Sequence, residues 1–216
     1  MTTLFIATGN AHKVEEIRAV LGDSFCVLSQ HDAGAALEPA ETGSTFAANA
    51  AIKAVTWAAY LAANVCDLGA QFVLADDSGL EVDALGGAPG VHSARFAALD
   101  DGRHGNSPAA ENNAKLMRLL ERFPAEKRGA RFRCVLALVP VTPGATPDEL
   151  VATARFFDGT CEGRIALGAA GQGGFGYDPL FVPDGHEVSF AELGEALKNQ
   201  LSHRAQALAK LAASFA

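Results

Sequence analysis

Apolar and polar positions alternate along the 216-residue chain in a way that divides it into short strands and amphipathic helices. Leu4-Phe5-Ile6-Ala7 is a continuous apolar run of strand length. Thr8-Gly9-Asn10 interrupts it, and Val14, Ile17 and Leu21 then recur at helical spacing behind Asn10 as N-cap. Phe25 to Leu28 predicts a second strand. A turn-rich segment carrying Glu38 and Glu41 follows, and Thr45 opens an Ala-rich helix running to about Ala63. Phe72 to Ala75 reads as the end of a third strand, which delivers Asp76 and Asp77 into a Ser-Gly turn. Asp100 to Asn106 reads as a polar, mobile connection. Ser107-Pro108 then starts a helix whose apolar face is Leu116, Leu119, Leu120 and Phe123. Phe132 to Val139 is the clearest strand, with Val151 to Phe157 expected as its antiparallel partner. Ser189-Phe190-Ala191-Glu192 is a capping box opening a helix toward Lys198-Asn199, and Ser202 precedes a last helix with Leu208 and Leu211 inward.

Strand-helix-strand units favour parallel pairing, whereas the expected hairpin must be antiparallel, so the pattern predicts an α/β fold built on a mixed sheet flanked by helices. No linker or low-complexity block divides residues 1–216, which reads as one domain. With 49% apolar and 19% charged residues the chain is of globular, ordered composition. Its formal charge of −8, from 17 basic and 25 acidic residues, argues against a nucleic-acid-binding or anionic-membrane surface. Cys26, Cys66, Cys134 and Cys161 show neither paired spacing nor an accompanying His cluster, as expected of reduced cysteines. The apolar run Leu4 to Ala7 is too short for a signal sequence or membrane span, so a cytoplasmic location is expected.

An anionic ligand then needs a local cationic site or a metal. Asp76 and Asp77 are adjacent carboxylates that are expensive to bury unless a cation meets them, and hard Mg²⁺ takes such oxygens together with phosphate and water. The plainer alternative is an acidic turn or helix cap facing water. A strand, tight turn and helix over Thr8, Gly9, Asn10, Ala11, His12 and Lys13 leave backbone N–H groups at a helix start, where phosphate binds; a capped surface helix with a solvated lysine is the alternative. Asn49, Lys53 and Thr56 share one narrow face of an otherwise small and apolar helix, which suggests a cleft wall, although Thr56 is the one most simply read as facing water. Residues 171–176 contain a formal GxGxxG, but Tyr177-Asp178-Pro179 and an apolar run follow where a dinucleotide site needs a helix. This loop is better read as presenting Phe175, and less so Tyr177, to a flat ligand, with Asp178 as an acceptor; the competing reading is that its aromatics anchor the loop. His203 and Arg204 at a helix start oppose the helix dipole and offer donors to a base edge.

Together these stretches resemble the inosine triphosphate pyrophosphatase family, also called the XTP/dITP diphosphatases. The resemblance is carried by Thr8-Gly9-Asn10 with Lys13 and Glu16, Glu41-Thr42-Gly43, Ala75-Asp76-Asp77-Ser78-Gly79-Leu80, and Gly86-Gly87-Ala88-Pro89-Gly90 with Ser93-Ala94-Arg95. It continues through Phe132-Arg133-Cys134-Val135, residues 173–179, and Lys198-Asn199 with Ser202-His203-Arg204. It implies an elongated mixed sheet in two lobes with the nucleotide cleft between them, and a homodimeric, Mg²⁺-dependent enzyme. That enzyme would cleave ITP, dITP and XTP to the monophosphate and pyrophosphate. By the same resemblance Thr8 to Lys13 would hold the phosphates, Asp77 would be proton acceptor and metal ligand, and Glu41 a further acid near the metal. Lys53 would steady phosphate oxygens, and Ser78, Phe175, Gly176, Tyr177, Asp178, Lys198, His203 and Arg204 would bind the nucleotide. One departure is Ala48, where many members carry Glu before Asn-Ala. A Maf-like pyrophosphatase acting on other nucleotides, a nucleotide-binding regulator without turnover and, more remotely, a dinucleotide oxidoreductase are the competing readings.

Overall fold

The computed structural model describes residues 1–100, 102–103 and 105–215. Its strands are β1 (Thr2–Ile6), β2 (Phe25–Leu28), β3 (Phe72–Val82), β4 (Gly129–Pro140), β5 (Arg155–Ile165) and β6 (Phe181–Pro183). The helices are α1 (Ala11–Leu21), α2 (Phe46–Asn64), α3 (Ala109–Leu120), α4 (Pro147–Ala152), α5 (Phe190–Leu193), α6 (Glu195–Leu201) and α7 (His203–Ala213). The six strands form one sheet in the order β2-β1-β3-β4-β5-β6. β1 runs parallel to β2 and β3, and β5 antiparallel to β6, so the sheet is mixed as the sequence predicts.

The chain divides into two compact units, Met1–Asp77 with Cys134–Asp158 and Gln206–Ala216, and Ser78–Arg133 with Gly159–Ala205. The first unit shows why strand periodicity positions its polar groups. Leu4, Ile6, Leu74, Cys134, Leu136 and Leu138 point to one face of the sheet, where α1 supplies Val14, Ile17 and Leu21 and α7 supplies Ala207, Leu208 and Leu211. Phe5, Ala7, Val73, Ala75, Ala137 and Val139 point to the other face, against Ala50, Ala54, Trp57, Ala58 and Leu61 of α2. This two-residue alternation is the ordinary geometry of a strand buried on both faces. The second unit packs Leu80 and Val82, Phe132, Cys161 and Phe181 against Leu116, Leu120, Tyr177 and Phe190.

Four sequence expectations are corrected. Asp76-Asp77-Ser78-Gly79 is not a turn but the middle of β3, and both acids are buried, which also removes the reading of a cap facing water. The extended backbone continues because each acid meets a lysine on its own side of the strand. Val151 lies in α4, not in a strand: Thr146 and Glu149 form a capping box, Pro147 takes the first helical position, and β5 begins only at Arg155. α3 starts after Pro108 without a side-chain cap, because the Ser107 hydroxyl accepts from Ala98 N instead, and Leu119 is exposed. The helix after Ser189 stops at Leu193; Gly194, at φ +80°, separates it from α6, which carries Lys198.

Of the polar 100–106 segment, Asp101 and His104 lie outside the described residues, while Asp100 is tied down by Lys115 at 2.6 Å and Arg118 at 3.0 Å. Other expectations hold. The Asn10 side chain caps α1 by accepting from Lys13 N, Thr45 accepts from Ala48 N at the start of α2, and Ser202 accepts from Ala205 N at the start of α7. No described helix is long and apolar enough to cross a membrane.

Candidate active site

The first unit assembles one charged cluster from α1, α2, β3 and the segment before α2. On β3, residues 73, 75 and 77 face α2, whereas 74 and 76 face α1. Alternation therefore gives the two adjacent acids different partners. Asp77 Oδ1 accepts from Lys53 Nζ of α2 at 2.8 Å, and Asp76 Oδ1 pairs with Lys13 Nζ of α1. Lys53 is shared: its ammonium also donates to Glu41 Oε1 at 3.0 Å and to the Asp76 carbonyl at 2.8 Å.

Asn49, four residues before Lys53 on α2 and fully buried, holds the other side of Asp77. Its Nδ2 donates to Asp77 Oδ2 at 3.3 Å, and its Oδ1 accepts from Gly43 N at 2.8 Å. A β-carbon at position 43 would lie 2.7 Å from both Ala48 Cβ and Asn49 Oδ1, so the segment bearing Glu41 approaches α2 only because residue 43 is glycine. Thr56, further along, is exposed and donates back to the Ile52 carbonyl, as the plainer reading expects.

One ammonium between two carboxylates sets the electrostatics. Burial pushes the Asp77 carboxyl above the ordinary carboxylate range; Lys53 and Lys13 draw it back only in part, and Glu41 adds repulsion. Burial opposes the Lys53 charge, yet Asp77 and Glu41 more than compensate and hold it above an ordinary lysine. Lys53 thus spends its three donors on Glu41, Asp77 and the Asp76 carbonyl, and burial leaves the Asp77 carboxylate easier to protonate than a free one. The pair also tests for a metal. Glu41 and Asp77 converge on one cation, and their hard oxygens suit Mg²⁺, which needs only one or two carboxylates beside phosphate and water. Among the described residues no group of three or more His, Cys, Asp or Glu gathers for a metal.

Thr8 to Lys13 form the turn and first residues of α1. Gly9, Asn10, Ala11 and His12 are exposed, Thr8 and Lys13 half-buried, and no acid stands in the first turn. The Asn10 side chain accepts from Lys13 N and the Thr8 hydroxyl from Asn10 N, and Lys13 places an ammonium beside this exposed helix start.

In the second unit Lys198, Arg204 and Asp178 gather around Phe175. Lys198 Nζ is 4.3 Å from the Phe175 ring centroid and Arg204 Cζ 5.8 Å. Lys198 pairs with Asp178 Oδ2 at 2.6 Å, and that oxygen also accepts from Phe175 N at 2.8 Å. Arg204, 1% exposed, donates to Ser78 Oγ at 3.0 Å, and the His203 ring stacks on Phe132 with centroids 4.9 Å apart. Tyr177 stands apart: its ring belongs to the core and its hydroxyl donates to the Ser93 carbonyl, so the aromatic anchors the loop. A β-carbon at Gly171 would meet the Ala191 backbone at 2.7 Å, so packing against α5, as well as φ of +82°, requires glycine there. Gly176 takes φ +63°, and its carbonyl accepts from Asn113.

The sequence reading gives Asn49 only a place on a cleft wall, Asp76 only a place in the acid pair and Cys134 only that of a reduced cysteine, and the structure gives each a specific partner. The signal for Asn49 was its shared helix face with Lys53.

A model of the Ham1 family matches residues 4–214. The chain belongs to the Ham1 family. A dITP/XTP pyrophosphatase of Pseudomonas syringae pv. tomato is 44% identical over 211 residues, 98% of this chain and 95% of that relative. One of Xanthomonas campestris pv. campestris is 45% identical over 98% of this chain and 96% of its own. Among solved structures, the Ham1 protein of Staphylococcus aureus superposes with a TM-score of 0.78 at 33% identity, covering 99% of this chain and 98% of its own. A nucleoside-triphosphatase, dITP/XTP pyrophosphatase, from Mycobacterium abscessus gives 0.69 at 38% identity over 97% and 98%.

Proposed function

We propose that this Ham1 family chain hydrolyses dITP, XTP and ITP to the nucleoside monophosphate and pyrophosphate, removing aberrant 6-keto purines from the nucleotide pool. The observation that carries the chemistry is a single buried ammonium shared by two carboxylates, Glu41 and Asp77, of which Asp77 is the more deeply buried. Asp77 takes the proton from a water that attacks the α-phosphorus, and Asn49 fixes the carboxylate for that task. Glu41 and Asp77 would hold Mg²⁺, and the ion would supply neutralisation of phosphate charge. Thr8, Gly9, Asn10, Ala11, His12 and Lys13 receive the phosphates through backbone donors and the lysine, with Lys53 as a second cation.

In the second unit Phe175 stacks on the base, flanked by Gly176, Tyr177 and Asp178. Lys198, His203 and Arg204 supply donors, and Ser78 orients Arg204. An O6 acceptor satisfies such buried donors, whereas the adenine amino group leaves them unpaired, a mismatch of about 1–3 kcal/mol per group. The four cysteines form no disulfide, which suits a cytoplasmic enzyme, and we propose a homodimer in line with the resemblance.

The test is product release from XTP, dITP, ITP and ATP with Mg²⁺ and with EDTA. Metal-dependent pyrophosphate from the 6-keto purines, with little from ATP, is expected. Orthophosphate would mean attack at the terminal phosphate, preference for dTTP or UTP would favour a Maf-like enzyme, and binding without turnover would make the chain a regulator.

A further inference from the structure

We propose that Asp76 and Cys134 are positioning residues that act on the triphosphate only through Lys13, an inference that rests on Lys13 being a phosphate-binding group. The two adjacent acids then have separate tasks, Asp77 at the reacting water and Asp76 behind the lysine.

Lys13 is a long side chain in the first turn of a helix, where the backbone dipole disfavours a cation and many rotamers compete. Its ammonium is nevertheless fixed on Asp76 Oδ1. The Asp76 side chain is fully buried and lies on the α1 face of β3, away from Lys53 and Glu41. A buried carboxylate holds its orientation only if both oxygens find donors. Lys13 serves one. The thiol of Cys134, itself fully buried, donates to Oδ2 at 3.3 Å and serves the other.

Cys134 occupies the position on β4 where the inward row Leu138, Leu136 would continue with another aliphatic residue. A leucine there would offer Asp76 no donor. A small side chain ending in S–H fills the position and turns the end of an apolar row into a support for the acid. The chain of contacts thus runs Cys134, Asp76, Lys13, and ends on the half-buried ammonium beside the helix start.

The experiment is calorimetric titration of wild type, K13A, D76N and the K13A/D76N double variant with pyrophosphate in Mg²⁺. C134A and C134S are titrated alongside, and steady-state kinetics on XTP are measured for every variant. D76N should weaken pyrophosphate binding roughly tenfold and raise KM more than it lowers kcat, and it should add nothing in the K13A background. C134A should weaken binding about threefold, and C134S, which keeps a donor, should restore it. The Mg²⁺ concentration for half-maximal rate should not move in D76N.

Additive losses in the double variant, a shifted Mg²⁺ requirement in D76N, or equal behaviour of C134A and C134S would overturn the proposal. Tighter pyrophosphate binding by D76N would also overturn it, because the carboxylate would then be competing with phosphate for the lysine. Should D76N not fold, the Cys134 pair decides alone. A wild type that turns over XTP but shows these contrary variant results defeats only the relay. A wild type that neither turns over XTP nor binds pyrophosphate defeats the phosphate assignment of Lys13, and the relay with it.

Discussion

Replacing Lys53 by Met tests the electrostatic reading of the site most directly. The substitution keeps most of the side-chain volume and removes one ammonium. Three acceptors lose this donor: Glu41 Oε1, Asp77 Oδ1 and the Asp76 carbonyl. The Glu41 side chain, 27% exposed, can turn toward water, so little is assigned to it. Asp77, at 9%, cannot, and neither can the strand carbonyl. A buried charge left without its partner costs about 3–5 kcal/mol, and that is the expected loss of unfolding free energy at about pH 8.

The loss should depend on pH in a defined direction. Burial already holds the Asp77 carboxyl above its unfolded value, and removing Lys53 raises it further. An acid raised in the folded state keeps a proton that the unfolded chain releases, so stability falls as pH rises through the raised value and recovers below it. The deficit of K53M should therefore shrink between about pH 8 and about pH 5. Mg²⁺ should stand in for the missing ammonium and stabilise K53M more than wild type, by linkage to the folded state. Urea unfolding at both pH values, with Mg²⁺ and with EDTA, measures all three effects. A deficit that is equal at the two pH values and indifferent to Mg²⁺ would refute the idea of one cation shared between Glu41 and Asp77.

Three further outcomes follow from the same geometry. D77N should retain the fold, checked by circular dichroism and melting, while pyrophosphate release from XTP falls at least about 100-fold, since it removes the proton acceptor at nearly constant volume; near-normal turnover would remove Asp77 from the chemistry. N49A strips a donor from Asp77 and an acceptor from Gly43 N, and should cost about 1–3 kcal/mol in urea unfolding together with a loss in kcat. R204K keeps the charge but not the planar fork, and should narrow the XTP-over-ATP ratio of kcat/KM by roughly tenfold; an unchanged ratio would show that the arginine does not read the base.

Much of the fold was legible because the first unit obeys its periodicities. Val14, Ile17 and Leu21 mark α1 at helical spacing, and Asn10 and Thr45 cap the helices assigned to them. The errors have local physical causes. Val151 looked like strand because β-branched and aromatic residues surround it, yet the Thr146-Pro147 start and the Glu149 capping box outweigh that preference over so few residues. Glu192 likewise closed a genuine capping box, but one glycine two residues later ended the helix.

The central stretch departs from its local pattern because of distant partners. Asp-Asp-Ser-Gly is turn chemistry by composition, and only lysines more than twenty residues distant in sequence make it strand. Nothing local could show that Lys13 and Lys53 approach β3 from opposite faces. Once the strand is seen to continue, alternation sends the two carboxylates to opposite faces, where different lysines meet them. The same alternation reaches Cys134 through the row Leu138, Leu136, which is how a cysteine that looked like ordinary core filling comes to support a carboxylate. A strand that carries chemistry in the middle must break its own hydrophobic pattern. The polar residues that break it are then the ones whose partners lie farthest away in the chain.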